Sequence, residues 1–150
     1  MMDIELAIVT ARNLCLKYEG VYLKPYLCSA GVPTVGVGAT FYKNGVRVQL
    51  TDPPITKDHA LELLDWMLER VYFPAVIKLC ANIDDGRKAG AITDFAFNLG
   101  IKALKNSTLR KKILANDWEG AKKEILKWNK GGGKVLSGLT KRRIEESRLL

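Results

Sequence analysis

Four of the chain's five prolines, with four glycines, fall between residues 21 and 55. Proline removes a backbone donor and clashes with the preceding turn, and glycine costs a helix interior about 1 kcal/mol, so no continuous helix can cross this stretch. The same stretch holds short alternating runs at 34–37 and 46–50, and the dipeptide Asn44-Gly45, a strong two-residue hairpin signal. A small, glycine-rich antiparallel sheet is expected here.

Helical periodicity flanks it on both sides. Over residues 3–18, Ile4, Ala7, Ile8, Ala11, Leu14 and Cys15 recur at i, i+3, i+4 spacing and define one buried face of a helix ending at Gly20. Thr56 has the character of an N-cap for a long helix whose inward stripe is Leu63, Leu64, Met67, Leu68 and Val71. Pro74 interrupts that pattern and is expected to kink or break the helix near Phe73. Further helices are expected at about 85–98, 107–115 and 117–128, then a glycine-rich loop at 130–134, then a last helix from about Thr140. Strands gathered in one segment and helices elsewhere imply an α+β fold. Residues 1–150 are expected to form one domain, with a sheet lobe at about 20–55 and a helical lobe at about 75–150 that includes the N-terminal helix. A cleft between the lobes is the natural ligand site.

Charge narrows the partners. Twenty-four Lys and Arg against 16 Asp and Glu give a formal charge of +8, which suits polyanions: nucleic acid, an anionic membrane surface, or a bacterial wall. Composition alone does not choose among them. The N-terminal segment carries Asp3, Glu5 and Arg12 and lacks an apolar run long enough for a signal or a membrane span, so a soluble, cytoplasmically made protein is expected. Three cysteines, Cys15, Cys28 and Cys80, make an odd count without a CxxC pair, which speaks against a disulfide framework and a structural zinc site. Cys15 and Cys80 sit among apolar neighbours and read as buried.

The segment with chemistry in it begins where the first helix ends. Glu19 stands immediately before Gly20, and Cys28 and Thr34 follow nine and six residues later, in the sheet segment. A carboxyl group at a helix end, facing polar groups on a neighbouring hairpin, is a layout for general acid catalysis. One group protonates a leaving oxygen, while a second manages water or developing positive charge on the opposite face.

This run resembles the catalytic signature of the phage-type lysozymes, the endolysins of glycoside hydrolase family twenty-four: Glu, eight residues, Asp, five residues, Thr, then Gly-x-Gly. Here it stands as Glu19, Cys28, Thr34 and Gly36-Val37-Gly38. The similarity continues in the run from Ala91 to Gly100, in Ser107-Thr108-Leu109, and from Trp128 through Gly138 to Glu145. The resemblance implies a lysozyme-like fold, a small sheet lobe joined by a long helix to a helical lobe. It implies hydrolysis of the β-1,4 bond between N-acetylmuramic acid and N-acetylglucosamine in peptidoglycan, without metal or organic cofactor. Glu19 is then the general acid and Thr34 helps to place the attacking water. Phe97 and Asn98 match the far wall of the saccharide cleft, and Arg142 or its neighbour Arg143, with Arg142 preferred, matches the residue paired with the catalytic Glu. The partner implied is the bacterial wall and not nucleic acid. A monomer without stable membrane insertion is expected, held in the host cytoplasm until a separate pore (a holin) lets it reach the wall. A lytic transglycosylase, and a basic binding module that has lost catalysis, are the competing readings.

Cys28 departs from the family pattern, which has Asp there. A nearby carboxylate would raise its thiol pKa and Arg142 would oppose that shift. Three roles are open to it: thiolate nucleophile, weaker stand-in for the carboxylate, or oxidisable switch. The remaining features read as structural. His59, the only histidine, falls in the first turn of a helix and is expected to be exposed instead of paired with Cys28. Trp66, Trp118 and Trp128 read as core, and the basic runs at 110–112, 122–123 and 141–143 as solvated helix faces.

Overall fold

The computed structural model describes residues 2–150. Helix α1 (Ile4–Glu19) starts at Asp3, whose carboxylate accepts the Leu6 N–H at 3.0 Å, and ends at Gly20. Its buried face is Ala7, Ile8, Ala11, Leu14 and Cys15. Ile4, placed on that face by spacing, is exposed, because the first turn stands beyond the core at the rim of an apolar hollow with Phe73 and Ile77.

Strands β1 (Tyr22–Leu27) and β2 (Pro33–Gly36) pair antiparallel, with Tyr26 opposite Thr34 and Leu27 opposite Pro33. The expected second run, 46–50, forms no ladder. Its pairing is limited to an isolated bridge between Phe41 and Arg47 around the Asn44-Gly45 turn, which the Tyr42 N–H closes onto the Val46 carbonyl at 2.9 Å. Pro53 and Pro54 follow at once and have no N–H with which to extend a sheet. The true partner strand contains Pro25, which masks it in the sequence and which a strand at a sheet edge tolerates.

Helix α2 (Lys57–Met67) is capped by Thr56, which accepts the His59 N–H at 3.1 Å. Pro74 does not break the helix. One π-helical turn, Leu68–Tyr72, widens the spiral before α3 (Phe73–Leu79), and the Phe73 N–H reaches back five residues to Leu68. The wider turn absorbs the missing proline donor. It also turns Val71, expected on the inward stripe, outward to 37% exposure.

Helix α4 (Gly86–Leu99) runs through the interior, with Ala89 to Ala96 buried without a break. It meets α1 at Gly90, where a Cβ would stand 2.8 Å from the Ala7 carbonyl oxygen and 2.5 Å from Thr10 Cβ, so only glycine permits this approach. Three shorter helices follow: α5 (Ile101–Lys105), which the sequence reading did not foresee, α6 (Thr108–Leu114) and α7 (Trp118–Ile125). The expected loop at 130–134 closes as a minimal hairpin of β3 (Lys130–Gly131) and β4 (Lys134–Val135). The last helix, α8 (Ser137–Arg148), begins three residues earlier than expected. Val37 and Ala39 of the sheet segment join the same core as α1, α2, α4, α6 and α7. Trp66, Trp118 and Trp128 pack against it, partly buried. Among the described residues no helix is long and apolar enough to cross a membrane.

Candidate active site

Glu19 is the last residue of α1, so its side chain leaves the helix where α1 meets the sheet segment and α8. The side chain is 24% exposed and receives Arg142 Nη1 on Oε2 at 2.5 Å. Arg142 is itself buried, and its other nitrogens go to α4: Nε to Asp94 Oδ2 at 2.9 Å and Nη2 to Asp94 Oδ1 at 2.7 Å. The Cys15 thiol donates to Asp94 Oδ1 at 3.3 Å. One guanidinium therefore joins three helices through two carboxylates. Burial opposes the Arg142 charge, but the Asp94 hydrogen bonds and charge, then Glu19, outweigh it and hold Arg142 above its ordinary pKa. The guanidinium also lies 5.6 Å over the Tyr18 ring. Losing one member of a buried pair of this kind costs about 3–5 kcal/mol, because the other charge is left uncompensated.

The neighbouring arginine turns away from Glu19. Arg143 pairs with Glu146 at 2.6 Å, both side chains fully buried, and its Nη2 donates to Asn98 Oδ1 at 2.8 Å. The alternative between positions 142 and 143 is thus resolved by geometry, since Arg142 is the one that touches Glu19.

Two surfaces flank the Glu19 carboxyl. On one side, Gly38 has φ +67°, and a Cβ there would lie 3.4 Å from Glu19 Oε1 and 3.3 Å from the Phe97 ring. The backbone passes between them with little room to spare. Phe97 is braced edge-on by Tyr72 at 5.0 Å. On the other side, Tyr18, Glu19, Asn98, Leu136, Leu139 and Arg142 line an open cavity of about 380 Å³. A half-shielded carboxyl between a glycine-lined strand end and a mixed polar and apolar hollow can deliver a proton to a bound polymer. A family model described as phage lysozyme matches residues 16–146. The chain belongs to the phage lysozyme family.

Its similarity to members of this family is broad. The endolysin of Bacillus phage B103 is 51% identical over 137 residues, which is 91% of this chain and 51% of that relative; the chain spans about half the length of that protein. The endolysin of Acyrthosiphon pisum secondary endosymbiont phage 1 is 34% identical over 142 residues and 91% of each chain. Among solved structures, the endolysin from Escherichia coli O157:H7 phage FAHEc1 superposes with a TM-score of 0.82 at 28% identity, covering 93% of this chain and 89% of that one. The α+β, lysozyme-like architecture expected from the sequence is the one found.

Against that family frame, Cys28 and Thr34 sit at the two ends of the β1–β2 turn. The Cys28 N–H donates to the Val32 carbonyl at 3.1 Å, and the buried Thr34 donates its hydroxyl to the same carbonyl at 2.9 Å. Backbone N–H groups of Val32 and then Ala30 lower the Cys28 thiol pKa. The expected rise from a neighbouring carboxylate is therefore overturned: the turn's own amides dominate and favour thiolate. Tyr26 lies opposite Thr34 across the ladder. Its hydroxyl pKa is raised by burial first, then by Tyr22, Glu19 and Cys28 in turn.

His59 is exposed, in the first turn of α2, and lines a hollow with Tyr42, Asp52 and Pro53. Among the described residues no three acidic, Cys or His side chains group as a metal site. Asp94 and Tyr18 are site residues that the sequence pattern does not assign. Asp94 did carry a signal, since it is the one charged residue within the otherwise uncharged run from Gly90 to Gly100. An ionisable side chain there needs a buried partner.

Proposed function

We propose that this chain is a wall-lysing muramidase that hydrolyses the β-1,4 bond between N-acetylmuramic acid and N-acetylglucosamine. The observation that carries the reading is the placement of Glu19, partly shielded, held by Arg142 and opening onto the hollow beside Asn98. Glu19 gives its proton to the glycosidic oxygen as the bond breaks. Phe97 and Asn98 hold the glycan, and Arg142 fixes the acid. Thr34, whose hydroxyl hydrogen is committed to the Val32 carbonyl, keeps its lone pairs free to accept from the attacking water. The Cys28 thiolate, in the position where the family has a carboxylate, supports the developing cation and takes the proton that the attacking water loses, and the attack inverts the anomeric configuration. Endolysin and lysozyme, the names carried by the relatives and the family, support hydrolysis over transglycosylation. The chain acts as a monomer, needs no metal or organic cofactor, leaves nucleic acid unbound, and is released from the host cytoplasm by a separate pore.

Digestion of purified peptidoglycan tests this. Glu19→Gln should lower the rate by about 10²–10⁴-fold. Products should carry the mass of an added water and a reducing N-acetylmuramic acid of inverted configuration, with the configuration unchanged in Cys28→Ser. Undiminished cleavage by Glu19→Gln would sink the reading, as would anhydro products.

A further inference from the structure

Asp94 is fully buried, 75 residues beyond Glu19 in sequence, and its side chain reaches the residues of the hollow through its hydrogen bonds to Arg142. Its hydrogen-bond inventory defines its state. Oδ1 accepts from Arg142 Nη2 and from the Cys15 thiol, and Oδ2 accepts from Arg142 Nε. All three neighbours are donors, so the carboxyl accepts on both oxygens. The Cys15 thiol does not compete with it as an acceptor. Burial first, then Asp94, pushes its pKa far above the ordinary value and keeps it an S–H donor.

Arg142 thus faces two carboxylates unequally. It gives two N–H groups to Asp94 and one to Glu19. A lone buried guanidinium 2.5 Å from a carboxyl would hold that carboxyl as its anion and make it a poor proton donor. We propose that Asp94 is a positioning residue for the general acid: by taking up the Arg142 charge in a two-point pair, it lets Arg142 orient Glu19 through one hydrogen bond while leaving Glu19 able to carry the proton it must deliver. The inference rests on the reading of Glu19 as general acid and deepens it. The other groups that face this cluster are Tyr18 from α1, Tyr72 from the π-helical turn, Tyr26 from β1, and the Arg143–Glu146 pair of α8. None of them contacts both sides of Arg142 as Asp94 and Glu19 do.

The sign follows from the charges. Removing the Asp94 charge leaves Arg142 facing Glu19 alone, so the Glu19 carboxyl ionises at lower pH. In Asp94→Asn, which keeps one oxygen acceptor for Arg142, the alkaline limb of the kcat/KM profile on peptidoglycan should move toward acid by about one pH unit, the lower end of the ~1–3 units a charge at such range imposes. Activity on the acid side of the limb should be largely retained. A carbon-13 titration of the Glu19 carboxyl in both proteins should show the same displacement whether or not either protein cleaves the wall. A uniform drop in rate with limb and titration unmoved would make Asp94 merely structural and overturn the proposal. The wild-type protein supplies a second arm that needs no variant to fold. Its Asp94 carboxyl must remain ionised throughout the range in which Glu19 titrates, and a protonated Asp94 in that range overturns the proposal equally. Loss of wall cleavage as the function would leave both titrations readable.

Discussion

Arg143 Nη2 donates to Asn98 Oδ1 at 2.8 Å, and that contact fixes which way the Asn98 amide points. With the carbonyl end occupied, the NH₂ end is left as the donor toward the hollow shared with Glu19, Leu136 and Leu139. Glu146, ion-paired to Arg143 at 2.6 Å and fully buried, holds the arginine in place. Asn98→Asp keeps an acceptor for Arg143 but replaces the donor with a second acceptor. The expected result is a rise in KM of about tenfold, the equivalent of one lost hydrogen bond, with kcat changed much less. Steady-state kinetics on soluble glycan fragments measures the split. An unchanged KM would remove Asn98 from the substrate wall.

Gly38 is the second point at which backbone and acid meet. Its φ of +67° lies in the left-handed region, and an added Cβ would press on Glu19 Oε1 and Phe97 at 3.4 and 3.3 Å. Gly38→Ala therefore carries about 1–2 kcal/mol of backbone cost, which for a chain of this size lowers Tm by about 2–8 °C. The Phe97 ring must yield slightly, and relaxing the strained backbone moves the surface on which the Glu19 carboxyl rests, so the proposed proton donor loses more rate than the fold loses stability. A fall in kcat of at least about tenfold is expected in a protein that still unfolds cooperatively. Calorimetry beside a wall-clearance assay separates the two effects; wild-type kcat would mean that the glycine serves folding alone.

How far the sequence alone leads depends on whether a feature is local. The faces of α1 and α2 and the Thr56 cap were legible because periodicity and capping act over a few residues. The placement of Glu19 at a helix end and of Cys28 and Thr34 on the following hairpin was legible because it is local in sequence. Strand β1 was hidden by Pro25, which a single-sequence reading takes for a breaker although an edge strand tolerates it. The π-helical turn was hidden because Pro74 announces a missing donor and not how the chain will absorb it. Asp94 and Glu146 were the least accessible of all. Their partners lie on another helix or within a fully buried pair, and only tertiary packing shows that α4 and α8 exchange charges beside the acid.

The three cysteines differ in a way that makes Cys28 chemically addressable. Cys15 and Cys80 are buried and free, and burial pushes both thiols up, Cys80 to about 11. Cys28 is partly exposed, and N–H groups of Val32 and Ala30 lower its pKa below the ordinary 9.0. A lowered pKa means that thiolate, the reactive form, accumulates at lower pH than in an unperturbed cysteine. Treating the native protein with iodoacetamide at a series of pH values should alkylate Cys28 alone, with a rate midpoint below 9.0, while Cys15 and Cys80 react only after unfolding. Peptide mass mapping reads each site separately. The adduct would stand beside Thr34, where the proposed mechanism puts the attacking water, so wall cleavage should fall in step with its formation and be spared in Cys28→Ser treated the same way. Alkylation that went to completion without loss of cleavage would show that the thiol lies outside the path of the water, and would leave Thr34 to hold it unaided.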